Sequence, residues 1–155
     1  MKKKLLFSCV AVVLGVGTGY ALNAMAQARP EVLVKQRLAA MTLQGKYFYG
    51  QLRPIAQGKV PYDANRAARA AEALEALSKM PWDGFDARTK DLKSGALPAI
   101  YDQPAKFKEA ADRLQSETSK LVSVIKGGDE AAVKAQIGAV GKACDGCHDN
   151  FRERD

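Results

Sequence analysis

Cys144-Asp145-Gly146-Cys147-His148, near the C-terminus, decides how the rest of the chain is read. The pattern C-x-x-C-H is the attachment sequence of a c-type haem. Each thiol adds across one vinyl group of the porphyrin, and the adjoining imidazole offers a nitrogen to the iron. On a helix, Cys144, Cys147 and His148 stand at i, i+3 and i+4 and project from one face. Such a face holds a flat macrocycle at its edge by two thioethers and at its centre by one axial ligand. The expectation is one covalent haem c per chain, with His148 on the iron.

Competing uses of the motif fare worse. A thioredoxin-like C-x-x-C needs a βαβ setting, and no strand pattern precedes it. A structural zinc site wants four Cys or His ligands. His148 is the only histidine, and the third cysteine, Cys9, falls in a separate N-terminal segment. That segment reads as a secretory signal: Lys2 to Lys4 are basic, Leu5 to Val16 apolar, and Ala24-Met25-Ala26 forms an A-x-A cleavage site. The expected division is a signal peptide over 1–26 and one domain over 27–155, located in the periplasm with no membrane attachment after cleavage. Removing three lysines and no acids takes the net charge from +7 to +4. No Lys/Arg run is interleaved with aromatics, so nucleic acid is a poor partner for this chain. An acidic redox partner, of unknown identity, is compatible with the mild basic excess.

Working back from the motif, the last helix begins at Asp129, a capping residue, and carries Val133, Ile137, Val140, Cys144, Cys147 and Phe151 on its apolar side. Gly127-Gly128 closes the helix before it, which runs from Pro104 to Ile125 with Phe107, Ala111, Leu114, Thr118, Leu121 and Ile125 in phase. Asp63 caps another, to about Lys79, with a small-residue face of Ala67, Ala70, Ala71, Leu74 and Leu77. The first helix spans Pro30 to about Ala56. Its inward stripe is Leu38, Met41, Gly45, Phe48, Leu52 and Ile55. A second line, Leu33, Ala40, Leu43 and Tyr47, serves either the core or a second subunit. Four amphipathic helices give an all-α, antiparallel four-helix bundle. The segment from Pro81 to about Gln103, with Trp82, Phe85 and Tyr101, is long for a loop and is expected to pack over the haem edge.

With one histidine, a second imidazole cannot fill the far side of the iron. Met41, on the inward stripe, and Met80, at a helix end, are the available thioethers; a methionine there also serves simply to fill an irregular core gap. No candidate acid, base or nucleophile converges on the pocket, so a substrate-converting enzyme, a peroxidase included, is not expected.

Pro30-Glu31, Lys35-x-Arg37, Met41, Pro61-Tyr62-Asp63-Ala64, Pro81-Trp82-x-x-Phe85 and the C-terminal C-x-x-C-H followed by Arg152 together resemble cytochrome c′. The resemblance covers essentially all of 27–155. It implies a homodimeric bundle with five-coordinate iron, His148 its only protein ligand, and an apolar residue at Met41 crowding the vacant face. Large ligands are excluded there, whereas NO and CO displace the obstacle. It further implies that Arg37 sits near the haem propionates, that the turn carrying Phe85 borders the haem, and that Arg152 flanks the proximal face. Related low-spin class II cytochromes carry an iron-ligating methionine at the place of Met41. The alternative is therefore a six-coordinate electron shuttle with Met41 on the metal.

Overall fold

The computed structural model describes residues 28–154; the signal sequence expected over 1–26 lies outside them. Helix α1 (Pro30–Tyr47) starts with its proline in the first turn, where the missing N–H costs nothing. It runs through a π-helical turn, Phe48–Leu52, into α2 (Arg53–Ala56). Pro54 explains the wide turn. Its ring has no N–H to donate to the carbonyl of Gly50 and crowds it, so the chain widens just before it. The extra residue re-registers the helix, and Phe48, Leu52 and Ile55 all reach the core.

Helix α3 (Ala64–Ser78) begins where Asp63 accepts a hydrogen bond from the Arg66 N–H at 2.8 Å. A long connection follows, holding two 3₁₀ turns (Trp82–Phe85 and Ala87–Thr89) and the short helix α4 (Ala99–Asp102). Helices α5 (Pro104–Lys126) and α6 (Glu130–Phe151) complete the chain. Gly128, at φ 78°, supplies the left-handed residue that turns one into the other, and Asp129 caps α6 through the N–H groups of Ala131 and Ala132.

Helix α1 packs on α3, α3 on α5, α5 on α6, and α2 returns against α6, closing the expected four-helix bundle. Ala67, Ala70 and Ala71 let α3 approach closely, and with Leu74, Leu121, Ile125, Val133, Ile137 and Val140 they form the core at the α2 end. Among the described residues no helix is long and apolar enough to cross a membrane.

Two features of the expected stripes change. Leu38, assigned inward, is 43 % exposed, because the upper half of α1 turns Val34, Arg37, Ala40 and Gln44 to the interior instead. The second line divides: Ala40 is buried, Leu33 and Tyr47 are half-buried and Leu43 is exposed. Met80, expected to pack at its helix end, stands out in solvent.

Candidate functional site: a covalent haem pocket

At the end of the bundle away from that core, the helices part around a cavity of about 500 Å³. All seven residues singled out from the sequence line it: Arg37, Met41, Phe85, Cys144, Cys147, His148 and Arg152. The helix delivers Cys144, Cys147 and His148 together, because α6 is unbroken from Glu130 to Phe151. Both thiols are free. Burial, with Asp145 and then Cys147 adding to it, pushes the Cys144 thiol up to about 12, and burial raises Cys147 as well. Burial and then the nearby Arg152 cation lower His148, leaving a neutral ring whose lone pair is available near neutral pH. Burial first, and Cys144 next, raises the Tyr49 phenol on the same wall.

The loop wall is aromatic. Phe107 meets Trp82, Phe85 and Phe151 edge-on, at ring-centroid distances of 5.8, 4.8 and 5.3 Å. The Trp82 indole donates to the Ser78 carbonyl at 2.7 Å, so the turn is tied to the end of α3. From the other side, the C-terminal tail pairs with the loop: Leu97 N–H donates to Phe151 O at 3.0 Å, and Glu153 N–H to Gly95 O at 2.9 Å. Arg152 lies in that pairing as an exposed residue at the cavity mouth.

Arg37 does more than the sequence suggested. Only 2 % exposed, it donates to Gly84 O (2.6 Å), Thr89 Oγ1 (2.8 Å) and Ser94 Oγ (2.6 Å) and stacks on Phe85. Every one of these acceptors is neutral, so a buried cation on the cavity wall has no carboxylate partner among the described residues. A macrocycle carrying carboxylates, two unpaired thiols to bond it, a neutral imidazole and an aromatic lining are mutually suited. The residues present fit a covalent haem. Gln44, whose side-chain amide donates to Leu77 O at 3.1 Å, also lines the cavity and was missed. Its only signal was its place seven residues after Arg37, two turns along one face. Met41 is half-buried on the α1 wall.

An all-α bundle with C-x-x-C-H on its last helix, opening into an apolar cavity, defines a c-type haem protein of the class in which a four-helix bundle carries haem c near the C-terminus. The sequence model described as Cytochrome C′ matches residues 32–152, and the chain belongs to that family. Cytochrome c′ of Rubrivivax gelatinosus is 39% identical over 127 residues, covering 81% of this chain and 98% of that one. A mutant cytochrome c′ from Alcaligenes xylosoxidans, solved as its nitric oxide complex, superposes with a TM-score of 0.76 at 35% identity, covering 83% of this chain and 99% of that one. A carbon monoxide-bound variant of the same protein gives 0.75 at 35% identity, over 82% and 98%.

Proposed function

We propose that this chain is a periplasmic haem protein that binds NO and CO on an iron whose only protein ligand is His148, and that it carries single electrons without converting a substrate. Bound in the cavity, haem c would supply one-electron chemistry and an iron able to take small gases. Cys144 and Cys147 hold the ring's edge. The neutral His148 ring presents one nitrogen, and the aromatic wall of Trp82, Phe85 and Phe107 excludes water from one side.

The observation that carries this reading is the character of the α1 wall. With the π-helical turn that follows it, α1 contributes Leu38, Met41, Gly45 and Phe48 alongside the polar Arg37, Thr42, Gln44 and Tyr49, with no imidazole and no carboxylate. Such a wall has room for a diatomic beside its apolar side chains. It offers no imidazole or carboxylate for proton transfer, which supports a binder over a peroxidase. One relative, solved as variants with NO and with CO, supports the same assignment. Periplasmic residence rests on the export signal read at 1–26. The exposed apolar side chains Leu38 and Leu43 on α1 support a homodimer, checked by sedimentation at micromolar concentration.

Spectra of the ferric and ferrous protein with and without NO test the reading: high-spin iron that shifts on adding NO is expected, and a low-spin spectrum indifferent to NO overturns it. The half-buried place of Met41 on the cavity wall keeps a second reading in play, a six-coordinate shuttle with its sulfur on iron. Met41→Leu separates them. A gas binder keeps its spin state, whereas a shuttle turns high-spin and its potential moves.

A further inference from the structure

Cys147 lines two hollows. Inside is the haem cavity; outside, between α5 and α6, runs a groove of about 270 Å³. Ala110, Cys147 and Phe151 belong to both and are the wall between them. A thioether at Cys147 would tie one edge of the ring to this wall. A protein seated in the groove therefore approaches the ring edge without entering the cavity.

The groove is positively charged. Lys106, Arg113 and Lys142 line it against a single carboxylate, Glu109. None of the three cations is ion-paired among the described residues; Lys106 donates instead to the neutral Gln103 Oε1 at 2.9 Å. The α6 bank stays low because Gly146 faces open space, and Ala143 beside it is small. A surface with unspent cations on its rim and a thin, small-residue floor over the ring's edge is built for approach by something negative and large.

We propose that this groove is the docking surface for an acidic electron-carrying protein, with Cys147 at the crossing point. The inference rests on the reading above that the iron cycles by single electrons, and adds the partner's charge and seat. Rim cations of this kind act mainly on the association rate, which gains from steering and loses it as salt screens the field.

The test uses the holoprotein and a reduced plant-type [2Fe–2S] ferredoxin, an acidic, low-potential one-electron donor. Stopped-flow reduction is followed across ionic strength in the parent, in Lys106→Glu/Arg113→Glu/Lys142→Glu, and in Lys59→Glu/Arg66→Glu/Arg69→Glu. The second set makes the same change in net charge at exposed residues that line neither hollow. The groove variant is expected to lose roughly tenfold or more at low salt together with most of its salt dependence, while the control variant keeps both. Zero-length carbodiimide coupling supplies a readout independent of the iron, with links to Lys106 and Lys142 expected. Equal losses in the two variants, or links scattered away from the groove, overturn the docking site and leave electron carriage standing. Failure of ferredoxin to reduce the parent at any salt, while an electrode cycles its iron, overturns the docking site alone; an iron that an electrode does not cycle overturns the electron-carrier reading.

Discussion

The guanidinium carbon of Arg37 lies 4.5 Å from the ring centroid of Phe85, so a cation from the middle of α1 rests on an aromatic of the long loop. With Gly84 O, Thr89 Oγ1 and Ser94 Oγ as its acceptors, this one side chain fixes the loop over residues 84–94 as a wall of the cavity. Thr89 Oγ1 passes the connection on to the Tyr101 hydroxyl at 2.9 Å. Lysine cannot reproduce a planar fork with a stacked face. Arg37→Lys is therefore expected to destabilise the holoprotein by about 2–4 kcal/mol, in the range for losing hydrogen bonds from a buried charged group. Chemical denaturation measures it; a loss below about 0.5 kcal/mol, the scale of an ordinary surface change, would show that the loop is held by other means.

Gly84 is where loop and helix come closest. A Cβ built there lies 2.6 Å from Arg37 Cβ and 2.9 Å from the Leu33 carbonyl oxygen. Neither is the free end of a flexible side chain, so α1 and the 3₁₀ turn must separate to make room. Gly84→Ala is expected to cost about 1–3 kcal/mol, the usual penalty for overpacking. The same separation lengthens the Arg37 bonds, so the visible spectrum should shift with the melting temperature. A protein as stable as the parent would show that the turn slides outward freely.

Asp86 sets the loop's response to acid. Its carboxylate accepts from Arg88 N–H at 2.8 Å and Arg88 Nε at 2.9 Å, and these bonds hold its pKa below the ordinary 3.8. A carboxyl whose folded value is depressed adds stability that is present above the unfolded value and is lost as pH falls through the folded one. NMR titration of Asp86 should give a midpoint below about 3.9, and Arg88→Ala should raise it. High salt should raise it too, since the pair is exposed and screening is effective. A midpoint unmoved by the substitution removes the pairing from any account of the loop.

These loop contacts mark the limit of what the sequence carries. Pro104, Asp63, Asp129 and the pair Gly127-Gly128 announced three helices through local capping and turn chemistry, which acts within a few residues. Cys144, Cys147 and His148 were legible for the same reason, their geometry being internal to one helix. Arg37 reaches partners 47, 52 and 57 residues away, and nothing local to Arg37 names them. The π-helical turn had a local signal in Gly50 and Pro54 that apolar periodicity overrides, because a stripe read at fixed spacing assumes an unbroken α-helix. Leu38 lines the cavity yet is exposed for a different reason: an open cavity, unlike a packed core, leaves part of its lining in water.

The largest prediction concerns the chain without its covalent group. An unfilled apolar cavity costs about 24 cal/mol per Å³ when its walls do not collapse. For a cavity of about 500 Å³ that is about 12 kcal/mol, an upper bound because this one opens to solvent, yet comparable to the whole stability of a domain this size. The walls cannot stay where they are. Core contacts at the α2 end, from Leu52, Ile55, Leu121, Ile137 and Val140, line no part of the cavity, so helix content should persist there while the cavity end loosens. Trp82 is the chain's single tryptophan and stands in the aromatic wall, which makes near-UV ellipticity a local reporter of that end. A Cys144→Ala/Cys147→Ala protein should keep strong far-UV ellipticity, lose the tryptophan near-UV signal, bind a hydrophobic dye and melt without a sharp transition. A native near-UV spectrum with cooperative melting in that variant would mean that Arg37 and the tail pairing hold the cavity open by themselves.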